Sequence, residues 1–357
     1  MSGAVSRFLE LELASRLLVL VTTATLLLTG VAIMFAVVAL VLRWKNQRKA
    51  RRWDGLEARW EADLLDLLGG DILPDALTAR VSAGDALYFV DYLSRFARRL
   101  RGSERAIIAE MAAPYLPRVA RQLQAPQAVV RARAVRTLSL LGLHDHAHDI
   151  ISALDDRSPL VAMAAARALT RREQPNFAHA VLVRLRQFGD WSPAFLATML
   201  AAVGPDAAPL LRATLANEQE LAAVRVVAAD ALRALHDVSS TELAAALAST
   251  STDRNLVAAA LRLLKACGSP LQAPGVRTLA AHPDEVVRMH ACAALGTLGG
   301  PEDVPRLAAA LNDASVWVAW RAANALLALG ARAALERVAG STGPRAELAR
   351  EALDEAA

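Results

Sequence analysis

Only two cysteines and three lysines occur among the 357 residues, and aromatic side chains make up just 4%. Cys267 and Cys292 lack metal-ligand spacing and sit in apolar helical runs. They read as small core residues in a reducing compartment rather than as a disulfide or zinc framework. No Gly-rich phosphate loop, G-x-S-x-G or H-E-x-x-H pattern is present, so the sequence offers no catalytic constellation. β-type alternation is likewise missing from the body of the chain, which excludes a sheet protein. A charge surplus is also missing. The formal charge is +4, and six bases lie together at Arg43, Lys45, Arg48, Lys49, Arg51 and Arg52. Without them, 34 bases face 36 acids. A nucleic-acid binder carries its basic excess over its own body, so no nucleic-acid partner is expected. No cofactor, metal or small-molecule substrate is expected either, and the chain does not read as an enzyme.

What is present begins with an uncharged run from Leu17 to Leu42, LLVLVTTATLLLTGVAIMFAVVALVL. About 20 apolar residues cross a bilayer core. A cleavable signal has a shorter apolar region with small residues at its end, whereas this run stops at Arg43-Trp44-Lys45. It reads as a permanent anchor. The base-rich flank marks the cytoplasmic side, which predicts an inner-membrane protein with its N-terminus outside and its C-terminal domain in the cytoplasm. Arg43, Trp44, Lys45, Arg48, Lys49, Arg51 and Arg52 then lie at the membrane surface, where anionic headgroups attract them.

The remainder carries a repeat. Leu138, Leu169, Leu200, Leu232, Leu264, Leu295 and Leu326 follow one another at spacings of 31 or 32. Four residues earlier stand Ala134, Ala165, Leu196, Ala228, Ala260, Ala291 and Ala322; eight earlier, Val130, Val161, Ser192, Val224, Leu256, Val287 and Val318. Offsets of four and eight share a helical face, so these sets define a buried stripe with a small residue at its centre. A shorter amphipathic segment precedes each such helix, and Gly142, Gly204, Gly268, Gly299 and Gly330 mark turns. The unit is a helix-turn-helix of about 31 residues. The predicted architecture is all-α: about seven such repeats stacked as an α-solenoid behind a single transmembrane helix.

The segment PDEVVRMHACAALGTLGGPEDVPRLAAALND, Pro283 to Asp313, resembles HEAT repeats, in particular the short variety of phycobilisome-lyase-like proteins. The resemblance covers roughly residues 115–340. It implies a ladder of turn Asp and second-helix Arg, for which the sequence offers Asp284 with Arg288, Asp253 without an Arg, and Arg131 and Arg225 without an Asp. The expected layout is an extracytoplasmic segment 1–16, a membrane helix 17–43, a helical linker and N-cap 44–114, repeats 115–340, and a capping helix 341–357. In the linker, Leu56, Trp60, Leu64 and Leu67, and then Phe89, Leu93, Phe96 and Leu100, fall at helical spacing.

Three candidate sites follow. Offsets −9, −6 and −2 from each marker leucine lie opposite the core stripe, and second helices of a curved array line its concave side. There Leu160, Met163, Trp191, Val226, Met289, Trp317 and Trp320 make an apolar row. It is either a partner-binding groove or packing against the adjacent repeat, and the groove reading is adopted. Trp317 and Trp320 lead it because Trp concentrates in binding hot spots. His144, His146 and His148 cluster with Asp145 and Asp149, but a helix puts only His144 and His148 on one face. A solvated loop is expected there rather than a metal. Arg95, Arg98, Arg99, Arg101 and Arg105 form a basic run that either meets lipid or an acidic partner or coats a solvated face. Together these features predict a membrane-anchored scaffold for a protein partner. Resemblance to anchored bacterial HEAT proteins implies a polytopic membrane enzyme as that partner, such as an exopolysaccharide-synthase glycosyltransferase. The alternatives are an enzyme of the bilin-lyase type and a lipid- or metal-sensing module.

Overall fold

The computed structural model describes residues 2–69, 77–170, 177–189, 191–342 and 344–355, with side chains of the first helix described from Thr25 onward. All regular structure among them is helical, and the chain divides into two compact units, Met1–Pro117 and Arg118–Ala357.

The first unit opens with α1, Ser2–Gly69, a single helix of 68 residues. Its apolar half is long and apolar enough to cross a membrane, and within the described part, which starts at Thr25, its side chains are wholly exposed. Leu26, Ile33, Phe35 and Leu40 all face outward there. The predicted span from Leu17 begins outside the described side chains, and so does the side chain of Lys49. Arg43, Trp44, Lys45, Arg48, Arg51 and Arg52 are all exposed, with the Arg48 guanidinium 3.6 Å above the Trp44 ring. Beyond them α1 turns amphipathic, and Trp60, Leu64 and Leu67 are buried. Trp60 meets α2 (Ala86–Ala97), packing edge-on to Phe89 at 5.0 Å and near Tyr92 at 5.6 Å. Ion pairs Arg52–Asp85, Arg95–Glu57 and Arg80–Asp63 tie the same surfaces together. Helix α3, Gly102–Ala112, packs on α2.

The second unit is a run of paired helices. The longer, second members are α5 (Ala128–Leu141), α7 (Pro159–Leu169), α9 (Pro193–Ala201), α11 (Ala222–Ala234), α13 (Arg254–Cys267), α15 (Glu285–Leu298) and α17 (Val316–Ala328). The first members are α4 (Leu116–Arg121), α6 (Ala147–Ser152), α8 (Ala178–Leu182), α10 (Ala208–Ala216), α12 (Thr241–Thr250), α14 (Ala273–Leu279) and α16 (Val304–Ala310). A last pair, α18 (Arg332–Ala339) and α19 (Pro344–Glu355), follows, with α19 packed on α17. Second helix stacks on second helix in two runs: α5 on α7, and then α9, α11, α13, α15 and α17 in succession. This is the predicted α-solenoid.

All seven marker leucines are completely buried, and the seven residues four positions earlier are at most 4% exposed. Full burial of one leucine contributes about 1.5–3 kcal/mol, so the stripe is the main attraction within each repeat. Small residues set the spacing between repeats. A β-carbon on Gly296 would lie 2.9 Å from the Ala325 Cα, closer than real contacts allow, so α15 and α17 touch nearly backbone to backbone. The offset −8 departs from expectation twice. Ser192 precedes α9 and is exposed, and Val130 is only half-buried because α5 has no second helix stacked before it within its unit.

Helix starts follow local chemistry. Asp253 accepts hydrogen bonds at 2.9 Å from the Asn255 and Leu256 amides, and Asp284 accepts one at 2.8 Å from that of Val286. Pro159 and Pro193 occupy first turns, where their missing N–H costs nothing. Gly330, at φ 71°, closes α17 in the left-handed region where a side chain is strained.

The implied Asp–Arg ladder needs correction. Arg288 does not pair with Asp284 of its own repeat but reaches Asp313 of the next, through Nε at 2.7 Å and Nη2 at 2.9 Å. Its Nη1 donates to the carbonyls of His282 and Pro283. Arg131 does the same: a two-pronged bond to Asp156 at 2.7 and 2.8 Å, and Nη1 bonds to the Ala125 and Pro126 carbonyls. Each Asp in turn accepts an amide two residues on, from Ser158 and Ser315 respectively, at 2.8 Å. Arg225 instead donates to the Leu215 carbonyl. The partner carboxylate stands one repeat downstream, where a two-pronged Arg bridges successive turns.

Two substitutions test this packing. Gly296→Val should separate α15 from α17 and lower stability by about 1–3 kcal/mol, read by denaturant unfolding with helicity retained before the transition. Asp313→Ala leaves the Arg288 fork without its carboxylate and should cost roughly 2 kcal/mol in the same assay.

Candidate functional site

The surface open to a partner on the second unit is what the stacked second helices leave uncovered. Where a second helix touches its own first helix and a second helix on either side, as α11, α13 and α15 do, one lengthwise strip stays free. At about 100° per residue, the Gly296–Ala325 seam joins offset +1 of one helix to offset −1 of the next. The free strip therefore centres on offsets −9, −5 and −2, and offset −6 turns toward a neighbour.

The predicted row divides accordingly. At offset −9, Leu160 is 49% exposed and Trp317 69%, and Val129 is exposed beside them in the series. Trp191 is half-buried, its ring stacked on Phe188 at 4.3 Å. At offset −6, Met163, Met289 and Trp320 are half-buried. Val226 is buried at 8%, so it belongs to the helix seam and not to an open groove. The apolar surface is thus an edge along the first turns of α5, α7 and α17. It is strongest at Trp317, whose neighbour Val316 is also exposed.

Sequence reasoning placed offset −2 on the outer face but compared residues only at −9 and −6, and it passed over −5 and +1; the charges gather at −5, −2 and +1. Arg136 and Arg167 are exposed at −2, and the Arg167 guanidinium lies 5.4 Å above the Phe195 ring on α9. Farther along, a cavity of about 310 Å³ opens between α11, α13, α15 and α17, lined by Arg233, Arg262, Lys265, Ala266, His290, Ala293 and Arg321. The buried Asp230 holds Arg262 by two bonds at 2.8 and 3.0 Å and Arg233 at 3.3 Å. Burial, together with the neighbouring Arg262 and Arg321 charges, pushes the His290 imidazole down to about 4. The signal for this cluster was a set of bases at equivalent offsets in different repeats, hidden because only the residues at −9 and −6 were compared.

The other candidates are placed as follows. His144 and His148 are exposed, and His146 Nδ1 pairs with Asp149 at 3.0 Å in its own turn. No three His, Cys, Asp or Glu side chains among the described residues are placed to hold a metal ion. Burial pushes the Cys292 thiol up to about 11 and raises that of Cys267 as well, so neither is an activated nucleophile. In the basic run, Arg95 turns to Glu57 and over the Trp53 ring at 5.0 Å, while Arg98, Arg99 and Arg101 are exposed.

Residues 241–328 and 273–356 match the family described as HEAT repeats. Among curated proteins, none matches the chain in sequence. Solved structures to which it is similar include an engineered protein, at 16% identity over 67% of this chain and 95% of that one, with TM-score 0.31. Another is the karyopherin Kap121p bound to the extreme C-terminus of a protein phosphatase, at 14% identity over 76% and 41%, with TM-score 0.36. A third is the complex of CpcE and CpcF of phycocyanin lyase from Nostoc, at 16% identity over 80% and 94%, with TM-score 0.28. The chain spans 41% of the karyopherin's length.

The titrations predict acid lability in two stages. His290 binds a proton below its ordinary value of 6.5 when unfolded, but only near 4 when folded. Stability therefore falls as pH drops from 6.5 toward 4. Asp156 and Asp313 are held below the ordinary carboxylate value, first by the hydrogen bonds of Arg131 and Arg288. Their contribution is present above about pH 4 and is lost as pH falls through the lower folded values. Thermal midpoints across pH 7 to 3 should show both stages, and His290→Gln should remove the first.

Proposed function

We propose that this chain, whose residues 241–356 are HEAT repeats, is a membrane-anchored scaffold that docks a protein partner. The observation that carries the reading is Trp317, a large ring 69% exposed on the first turn of α17, with exposed Val316 beside it and half-buried Trp320 one turn on. An exposed Trp costs solvation, and apolar patches of this kind mark partner sites. Leu160 and Val129 continue the apolar edge along the array. Met163, Met289 and Trp191 add area as a partner packs down, since each is only half-covered.

In this reading α1 crosses the inner membrane with its N-terminus outside and its repeats in the cytoplasm. Support comes from its exposed apolar half and from the basic cluster that ends it. Confinement to the membrane surface raises the effective concentration of the repeats toward other membrane proteins. A polytopic membrane enzyme, such as an exopolysaccharide-synthase glycosyltransferase, is the partner we favour, and the scaffold needs no catalytic residue of its own.

A photocrosslinking amino acid at position 317 of the full-length chain in native membranes should give one discrete adduct with a membrane protein. Trp317→Ala should cut co-purification of that protein by at least about tenfold, the scale of one hot-spot side chain, with thermal midpoint unchanged. Absence of any adduct at 317 and at 160 would overturn the reading.

A further inference from the structure

The charged cavity on the second-helix strip has no part in that docking edge. Its four cations, Arg233, Arg262, Lys265 and Arg321, come from the second helices α11, α13 and α17, and His290 of the intervening α15 stands among them. The nearby buried carboxylate of Asp230, which does not line the cavity, is already engaged by Arg233 and Arg262. Among the described residues, neither Lys265 nor Arg321 takes part in an ion pair, though both line the same cavity. Lys265 is also the only lysine outside the segment that follows the membrane run. Gathering like charges costs energy unless a counter-charge sits between them. Repeats elsewhere in this array satisfy their arginines with a downstream Asp, as Arg131 and Arg288 show. Here Asp230 serves Arg233 and Arg262, and among the described residues no acid pairs with Lys265 or Arg321.

We propose that this cavity binds a multiply charged phosphate group, of the diphosphate class, carried by a small ligand. A volume of about 310 Å³ lies at the small end of ligand pockets, which suits a diphosphate and little more, and argues against a protein segment. Guanidinium forks match phosphate oxygens in two-pronged geometry, while the lysine adds a compact charge. The pairing with Asp230 orients the Arg262 guanidinium beforehand, Lys265 adds its charge from the next turn of the same helix, and Arg321 closes on the anion from α17. Neutral His290 presents an imidazole N–H donor without adding to the repulsion when the site is empty. The phosphate has two conceivable sources, a soluble metabolite and a phosphomonoester lipid headgroup.

The test uses the full-length chain in phosphatidylcholine nanodiscs, titrated calorimetrically with inorganic diphosphate. Saturable binding with one site per chain is expected, and Lys265→Gln with Arg321→Gln should weaken it by at least about tenfold, the worth of two charge-assisted contacts. That double variant spares the Asp230 pair and changes two exposed side chains, so its thermal midpoint without ligand should match or exceed the parent's. Trp317→Ala should bind diphosphate normally, which separates this site from the docking edge. Repeating the titration in nanodiscs that contain phosphatidic acid assigns the source. Weakened diphosphate binding there identifies the lipid head as the occupant, and unchanged binding identifies a soluble one. Failure of the parent to bind in phosphatidylcholine discs, or equal affinity in the double variant, would overturn the proposal.

Discussion

Close stacking of one second helix on the next is the constraint from which the second unit follows. Alanine four residues before six of the seven marker leucines, and Gly296 against Ala325, let these helices approach until side chains no longer separate them. Once both flanks and the inner face are consumed, only one narrow strip of each helix is left to meet anything else. That geometry allots the chemistry: an apolar edge at the first turns and a basic strip behind it. It also brings residues some 30 positions apart in sequence into one cluster, as with Arg233, Arg262 and Lys265.

The two-pronged arginines serve the same stacking at its ends. Side chains of Arg131 and Arg288 each gather carbonyls of their own turn and a carboxylate of the next, so consecutive turns are held in register by directional bonds as well as by apolar contact. Apolar stripes alone would let neighbouring repeats slide, because hydrophobic attraction has no direction. A fork fixed at both prongs does not permit it.

Periodicity alone disclosed the fold, because the buried stripe repeats at fixed spacing and a leucine on it has one place to go. The candidate surface was legible only in part. Offset −6 looked as outward as offset −9 on a lone helical wheel, yet the neighbouring helix covers Val226 and half-covers Met289. A wheel knows a helix's own core but not its flanks. For the same reason the partner of Arg288 was sought in its own turn, when stacking had placed Asp313 nearer. In the first unit, Trp60 and Phe89 lay on predicted stripes, and their edge-on contact is what those stripes were for. The pairing of Arg95 with Glu57 could not be read in advance, since 38 residues separate them.

One feature of α1 reaches further. From the exposed apolar half to buried Leu67 it is a single uninterrupted helix, so both halves share one helical phase. Torsion applied at either end is delivered to the other, as along a drive shaft. Each residue added between Lys45 and Trp53 would turn the Trp60 face by about 100° relative to the apolar half, and seven would nearly restore it. The orientation that the first unit presents around its anchor is therefore counted out in residues, and only insertions near whole turns leave it as it stands.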